Sequence, residues 1–332
     1  MTDIENAELV LPTQDIQKTA SYFIDRLGFK LQTIYPADAP RSALLTGDGT
    51  RIRLEIGRDG DPGRLSLRDD GPPAQPVLPP AKPEVLFTAA AAKPDDWQQG
   101  RAGMQYRDML PGRWGGHFIV SHIRIPDGGP VPDYVHYHQV RFQMIYCLKG
   151  WVRVVYEDQG EPFVMEAGDC VLQPPEIRHR VLESSDGLEV LEIGCPAEHP
   201  TLVEHEIDLP TGRVVRDRDF GGQLFLRHVA TTAVWGPLAA ATGWSECDLG
   251  MTAATKGLAG LTRMKTNTGE PLQVAGAREF TYLYCLAGNG SLSVGDLGGT
   301  DFAPGAGLSL PAGNQARITP AEGGCDLLHL TI

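Results

Sequence analysis

HYHQVRFQMIYCLKG at residues 136–150 and GDCVLQPPEIRH at 168–179 carry the strongest signal in this chain. Alternate side chains of a β-strand share a face, so His136 and His138 point the same way at a separation that suits one cation. His179 follows Gly168 and the Pro174-Pro175 pair, where a returning strand of an antiparallel barrel brings it opposite the first two. Three imidazoles suit iron, nickel, copper or zinc. Gln143 lies at an odd offset from His138, so it reaches the same cavity only where the chain turns a corner around Gln139–Phe142.

Outward from this stretch the chain repeats itself. YCLKG at 146–150 returns as YCLAG at 284–288, and GDCVLQPPEIRH at 168–179 returns as GAGLSLPAGNQA at 305–316. GRWGGHFIVSHIRI at 112–125 has a looser echo in ATKGLAGLTRMKT at 254–266. Residues 101–332 are rich in β-branched and aromatic residues with Gly and Pro at short intervals, so they read as two all-β units, 101–208 and 209–332. Counting back from Gly288, the second unit has Val274, Gly276 and Thr281 where the first has His136, His138 and Gln143, and Ala316 stands for His179. No ligand is expected there. Cys147 and Cys285 occupy equivalent positions, which points to packing rather than redox chemistry.

Residues 60–100 read as a linker, with six prolines between 72 and 83. Before it, residues 1–59 form a small α+β module of order βαβββ. Asp15 caps a helix with apolar residues at Ile16, Ala20, Phe23, Ile24 and Leu27, and Gly28 closes it. Strands are expected at 7–11, 29–35, 42–45 and 51–56. A net charge of −13 without a basic cluster excludes nucleic acid and anionic membranes as expected partners. The first residues lack a signal-like pattern and no apolar run spans a bilayer, so a cytoplasmic location is expected. Six scattered cysteines without CxxC spacing read as reduced.

His136-Tyr-His138, four residues, Gln143, six residues, Gly150 resembles the first motif of the cupin superfamily. Gly168, five residues, Pro174, then His179 resembles the second. The fold implied is mainly β, two cupin jelly-roll barrels (a bicupin) behind the α+β module. By that resemblance His136, His138 and His179 are the metal-binding histidines, and Gln143 takes the place of a glutamate. Glu176 stands where the family has glycine. Three neutral imidazoles and a neutral amide leave a divalent ion its full charge, which favours an anionic oxygen ligand and Lewis-acid chemistry.

The resemblance implies an enzyme with one divalent metal ion, Fe(II) first, with Zn, Ni or Mn as alternatives. The leading expectation is an Fe(II)-dependent dioxygenase cleaving a small phenolic or β-dicarbonyl substrate. The alternatives are a non-redox isomerase, lyase or hydrolase acting through an enolate, and a non-catalytic binding cupin. His122, on the strand 117–125 with Arg124, is a candidate proton carrier, and Tyr137 and Arg141 are candidate substrate contacts together with Tyr134. His199, His205, His228 and His329 lack partners at metal spacing.

LPTQDIQKTASYFIDRLGF at 11–29 with three following strands resembles half of a vicinal oxygen chelate (glyoxalase and bleomycin-resistance) domain. That resemblance places Glu8 and Glu55 at ligand positions. A complete cup needs a second module, so either another subunit of a homodimer supplies it or the module serves packing.

Overall fold

The computed structural model describes residues 6–57, 61–68, 78–90, 93 and 96–332. In the N-terminal module, β1 (Asn6–Thr13), α1 (Ile16–Leu27), β2 (Lys30–Tyr35), β3 (Ser42–Gly47) and β4 (Thr50–Ile56) reproduce the expected βαβββ order. The Asp15 carboxylate accepts the Lys18 N–H at 2.9 Å and Gly28 closes the helix at φ 73°, so both ends are capped as the residue types require. Ile16 and Ala20 face the sheet, while Ile24 and Leu27 stay exposed. β1 lies parallel to β4 and is flanked on its other side by β5 (Arg64–Arg68), a strand inside the stretch expected as linker. Residues 69–77, which carry Pro72, Pro73 and Pro76 of that stretch, lie outside the described residues.

The module is not tethered at a distance. β2 pairs with Thr201–Val203 of the first barrel, with Thr201 opposite Ile34 and Leu202 opposite Thr33, so one sheet runs from the module into the barrel. The His205 ring donates from Nε2 to the Leu31 carbonyl at 2.7 Å beside this junction.

The first barrel has two facing sheets. One contains Trp151–Tyr156, His179–Ser184 and His136–His138, and the other contains Phe142–Lys149, Leu188–Cys195 and Ile119–Ile125. The break at 139–141 lets the chain change sheets, as the odd offset of Gln143 demands. Two further details depart from the expected boundaries. Leu226–His228, beyond residue 208, pairs with Cys170–Leu172 of the first barrel, and Leu86–Thr88, in the expected linker, pairs with Gly307–Leu310 of the second.

The second barrel keeps the register and loses the chemistry. His136 faces His179 across the first barrel's ladder, and Val274 faces Ala316 across the second's. Val274 and Ala316 are buried in a continuous apolar core with Leu283, Leu308 and Leu327. The backbone around Cys147 and Cys285 repeats as well. Each cysteine's N–H and carbonyl bridge to the facing turn (Asp169 and Gly168, Ala306 and Gly305), and a bulge follows each one. All six cysteines are free and buried. Between the barrels the Phe118 and Phe280 rings stack at 4.2 Å, with Trp114, Leu191, Leu261, Leu328 and Ile332 closing one shared core. Each of these large side chains contributes about 1.5–3 kcal/mol on burial, so the halves are welded rather than hinged.

Candidate metal centre

His136, His138 and His179 bring one ligand atom each to within 4.8 Å of one another and are 0%, 6% and 5% exposed. Their outer nitrogens are all engaged. His136 Nδ1 donates to the Tyr134 carbonyl (2.8 Å), His179 Nδ1 to the Ile177 carbonyl (2.9 Å), and His138 Nδ1 pairs with Thr201 Oγ1 (3.1 Å). A proton held at Nδ1 leaves the Nε2 lone pair free, which is the tautomer a cation needs. Burial, reinforced by Arg101 and His179, holds His136 well below the ordinary imidazole range. Burial and His136 do the same to His138, and burial lowers His179 to about 4. All three are neutral donors at physiological pH.

Gln143 approaches from the opposite sheet. Its Nε2 donates to Glu192 Oε1 at 2.6 Å, which turns Oε1 the other way, and that oxygen is buried without a protein partner among the described residues. An orphaned amide oxygen costs about 1–3 kcal/mol unless something takes it up. Three neutral imidazole lone pairs and this oxygen together fit a divalent cation. One competitor is present. Arg101 Nη2 donates to His136 Nε2 at 2.7 Å, while Nη1 pairs with Asp133 at 2.5 Å. Burial is the largest influence and works against the guanidinium charge, but Asp133 together with Tyr106 and Tyr134 outweighs it and holds the Arg101 pKa above its ordinary value.

The cavity in front of these groups has apolar walls, among them Ile119, Ile123, Ile145, Val154, Val181 and Val190. Its polar groups include His138, His179, Gln143, Glu192, His199 and Arg101, with Tyr106, Tyr156, Gln173 and Asp38 also on the lining. Burial raises the Glu192 carboxyl above its usual range against the opposing Gln143 hydrogen bond. Burial lowers His199, whose Nδ1 donates to the Pro196 carbonyl at 3.0 Å and whose ring lies 5.2 Å from that of His138. The module completes the wall with Pro36, Ala37 and Asp38. It also grips the loop that carries His199, since Tyr35 Oη and Arg41 Nη2 both donate to Glu198, at 2.9 and 2.7 Å.

Three expected site residues lie elsewhere. On the strand Ile119–Ile125 the cavity takes Ile119, Ile123 and Ile125, so alternation sends His122 to the other face. There His122 pairs with Glu189 at 2.8 Å and lines the cleft between the barrels. Tyr137, between His136 and His138 on one strand, must point away from them, and Arg178 stacks on its ring at 4.2 Å. Arg141 forks onto Glu279 of the second barrel. In the module the buried Glu8 carboxylate is held by Arg51 and Arg53, and Glu55 pairs with Arg64. Both carboxylates are thus paired with arginines. Sequence reasoning missed Arg101, Glu192 and His199. Only Glu192 left a signal, as a lone charge in line with Leu188 and Val190 on an apolar strand face.

Residues 121–194 match the cupin domain family model. No curated protein matches the chain. Among solved structures, Lactobacillus farciminis oxalate decarboxylase in a formate complex superposes with a TM-score of 0.53 at 13% identity, covering 74% of this chain and 85% of that one. Bacillus subtilis oxalate decarboxylase, studied for its Mn(II) centres, gives 0.52 at 11% identity over 74% and 76%. Residues 121–194 thus carry a cupin domain, and the repeated register and these likenesses give the chain a two-barrel, bicupin fold.

Proposed function

We propose that this protein is a metal-dependent enzyme of the first barrel that carries out non-redox proton-transfer chemistry, as a lyase or isomerase, on a small carboxylate with an apolar body. The observation that carries the reading is the placement of two proton-transfer groups in the cavity beside the donor set: Glu192, hydrogen-bonded to Gln143 and raised by burial, and His199, 5.2 Å from the His138 ring and lowered by burial. A carboxyl and an imidazole held in one buried pocket are the kinds of group that give and take a proton.

His136, His138, His179 and Gln143 would hold a divalent cation, which supplies Lewis-acid polarisation of a substrate oxygen. Mn(II), Zn(II) or Ni(II) suffices for this chemistry. Arg101 is the cationic group that faces a substrate carboxylate. Its charge matches the acid, and the isoleucine and valine walls match the carbon chain and exclude water. His199 accepts a proton at Nε2, because its Nδ1 is committed to Pro196. Glu192 returns one, with Gln143 fixing the direction of its carboxyl. The solved oxalate decarboxylases carry out a lyase reaction on a dicarboxylate, and the apolar lining here points to a longer, monoanionic substrate.

A second reading, an Fe(II)-dependent dioxygenase, draws on the same apolar walls, which admit dioxygen and an aromatic or β-dicarbonyl compound. One experiment separates the two. The Mn(II)- and Fe(II)-loaded proteins are incubated with a panel of 3-oxo and unsaturated acids in D₂O, with and without oxygen. Anaerobic deuterium incorporation or carbon dioxide release, lost in Glu192→Gln, supports the proton-transfer reading. Turnover that requires Fe(II) and consumes oxygen sinks it.

A further inference from the structure

Arg101 is the least expected group in the cavity. The residue is 8% exposed, and its guanidinium is fixed at one end by Asp133, whose second oxygen accepts the Val181 N–H at 2.9 Å. Its Nη2 takes the lone pair of His136 Nε2, and its Nε is buried with no partner among the described residues. A metal cation and the guanidinium therefore need the same lone pair. Two cations cannot share it.

We infer that Arg101 couples metal binding to anion binding in the first barrel. This rests on the metal site proposed above. A cation that takes His136 Nε2 must release Arg101 Nη2, and the released N–H then adjoins the unpartnered Nε–H on one edge of the guanidinium. That edge is a two-donor fork of the shape that a carboxylate fills bidentately. Without an anion, metal binding strands two buried donors. With one, both are satisfied, and the anion compensates the second positive charge. Linkage requires the effect to be reciprocal, so the metal tightens the anion by the same factor as the anion tightens the metal. A carboxylate substrate thereby helps to load the ion that acts on it.

The test is calorimetric titration of Mn²⁺ into metal-stripped wild type and Arg101→Met, alone and in saturating butyrate or butyramide. Butyrate fits the apolar walls and scarcely chelates free Mn²⁺, and butyramide is its neutral counterpart. In wild type, butyrate is expected to tighten Mn²⁺ binding by about tenfold, within the usual range of such couplings, and butyramide is expected to leave it unchanged. Arg101→Met should bind Mn²⁺ more tightly than wild type without an anion and show no butyrate effect. Arg101→Met/Asp133→Asn, which removes both charges of the buried pair, gives the same result if Arg101→Met alone does not fold. Mn²⁺ binding in wild type that ignores butyrate, or a butyrate effect that survives in the variants, overturns the inference and leaves the metal site standing. Wild type that binds no Mn²⁺ under either condition overturns both.

Discussion

Thr201→Val isolates one hydrogen bond at the proposed centre. His136 and His179 are oriented by backbone carbonyls, which no substitution removes, but His138 Nδ1 is held by the Thr201 hydroxyl at 3.1 Å. Thr201 is fully buried, and valine has nearly the same shape and the same preference for a strand. The backbone pairing of Thr201 with Ile34 survives, so the junction between barrel and module is retained. What is lost is a partner for a buried N–H, at a cost of about 1–3 kcal/mol. If His138 ligates through Nε2, removing its outer partner weakens the metal by about 10- to 100-fold, which is about 1.4–2.7 kcal/mol. The first figure is a loss of fold stability and the second a loss of metal affinity, so each is read by its own measurement. Competition with a metal-sensitive dye gives the affinity, and urea unfolding confirms that the variant is folded. A folded Thr201→Val protein that binds its metal as tightly as wild type would refute the assignment of His138 as an oriented ligand.

Arg41→Ala releases one of the two donors on Glu198 and loosens the neighbouring His199; turnover is expected to fall by up to about tenfold with metal content unchanged, and an unaltered rate would show that the module does not position that loop. Glu176 sits at φ 61° where glycine is relaxed, so Glu176→Gly should raise the urea midpoint by an amount worth no more than about 1 kcal/mol, and a lower midpoint would contradict the strain. His329 is held at about 4 by burial. The unfolded chain protonates near pH 6.5, so this stabilisation is full above 6.5 and is lost as pH falls toward 4, by at most about 3 kcal/mol. His329→Gln should therefore show a shallower loss of stability between pH 7.5 and 4.5, and parallel curves would exclude that contribution.

The candidate ligands were legible as a cluster because they belong to short motifs with fixed geometry. A period of two places His136 and His138 together, and the odd offset of Gln143 requires the change of sheet that occurs at 139–141. The same period shows why Tyr137 faces away from the cavity. His122 was harder, since both faces of its strand are buried, one in the cavity and one between the barrels, and no contrast of polarity separates them. Arg101 and His199 come from turns on either side of the ligand strands, and nothing local marks a turn residue as facing a site folded from elsewhere. The module's helix could be read from its caps, but its fusion to the barrel through β2 and Thr201–Val203 is a pairing between strands more than 160 residues apart, without a sequence signature.

The most direct test of the central claim is the metal content of protein purified without an affinity metal column, compared between wild type and His136→Ala/His138→Ala. The account predicts close to one divalent ion per chain in wild type and almost none in the variant, with folding preserved by the shared core. Wild type that holds no ion even after reconstitution, or a variant that keeps its ion, would contradict it.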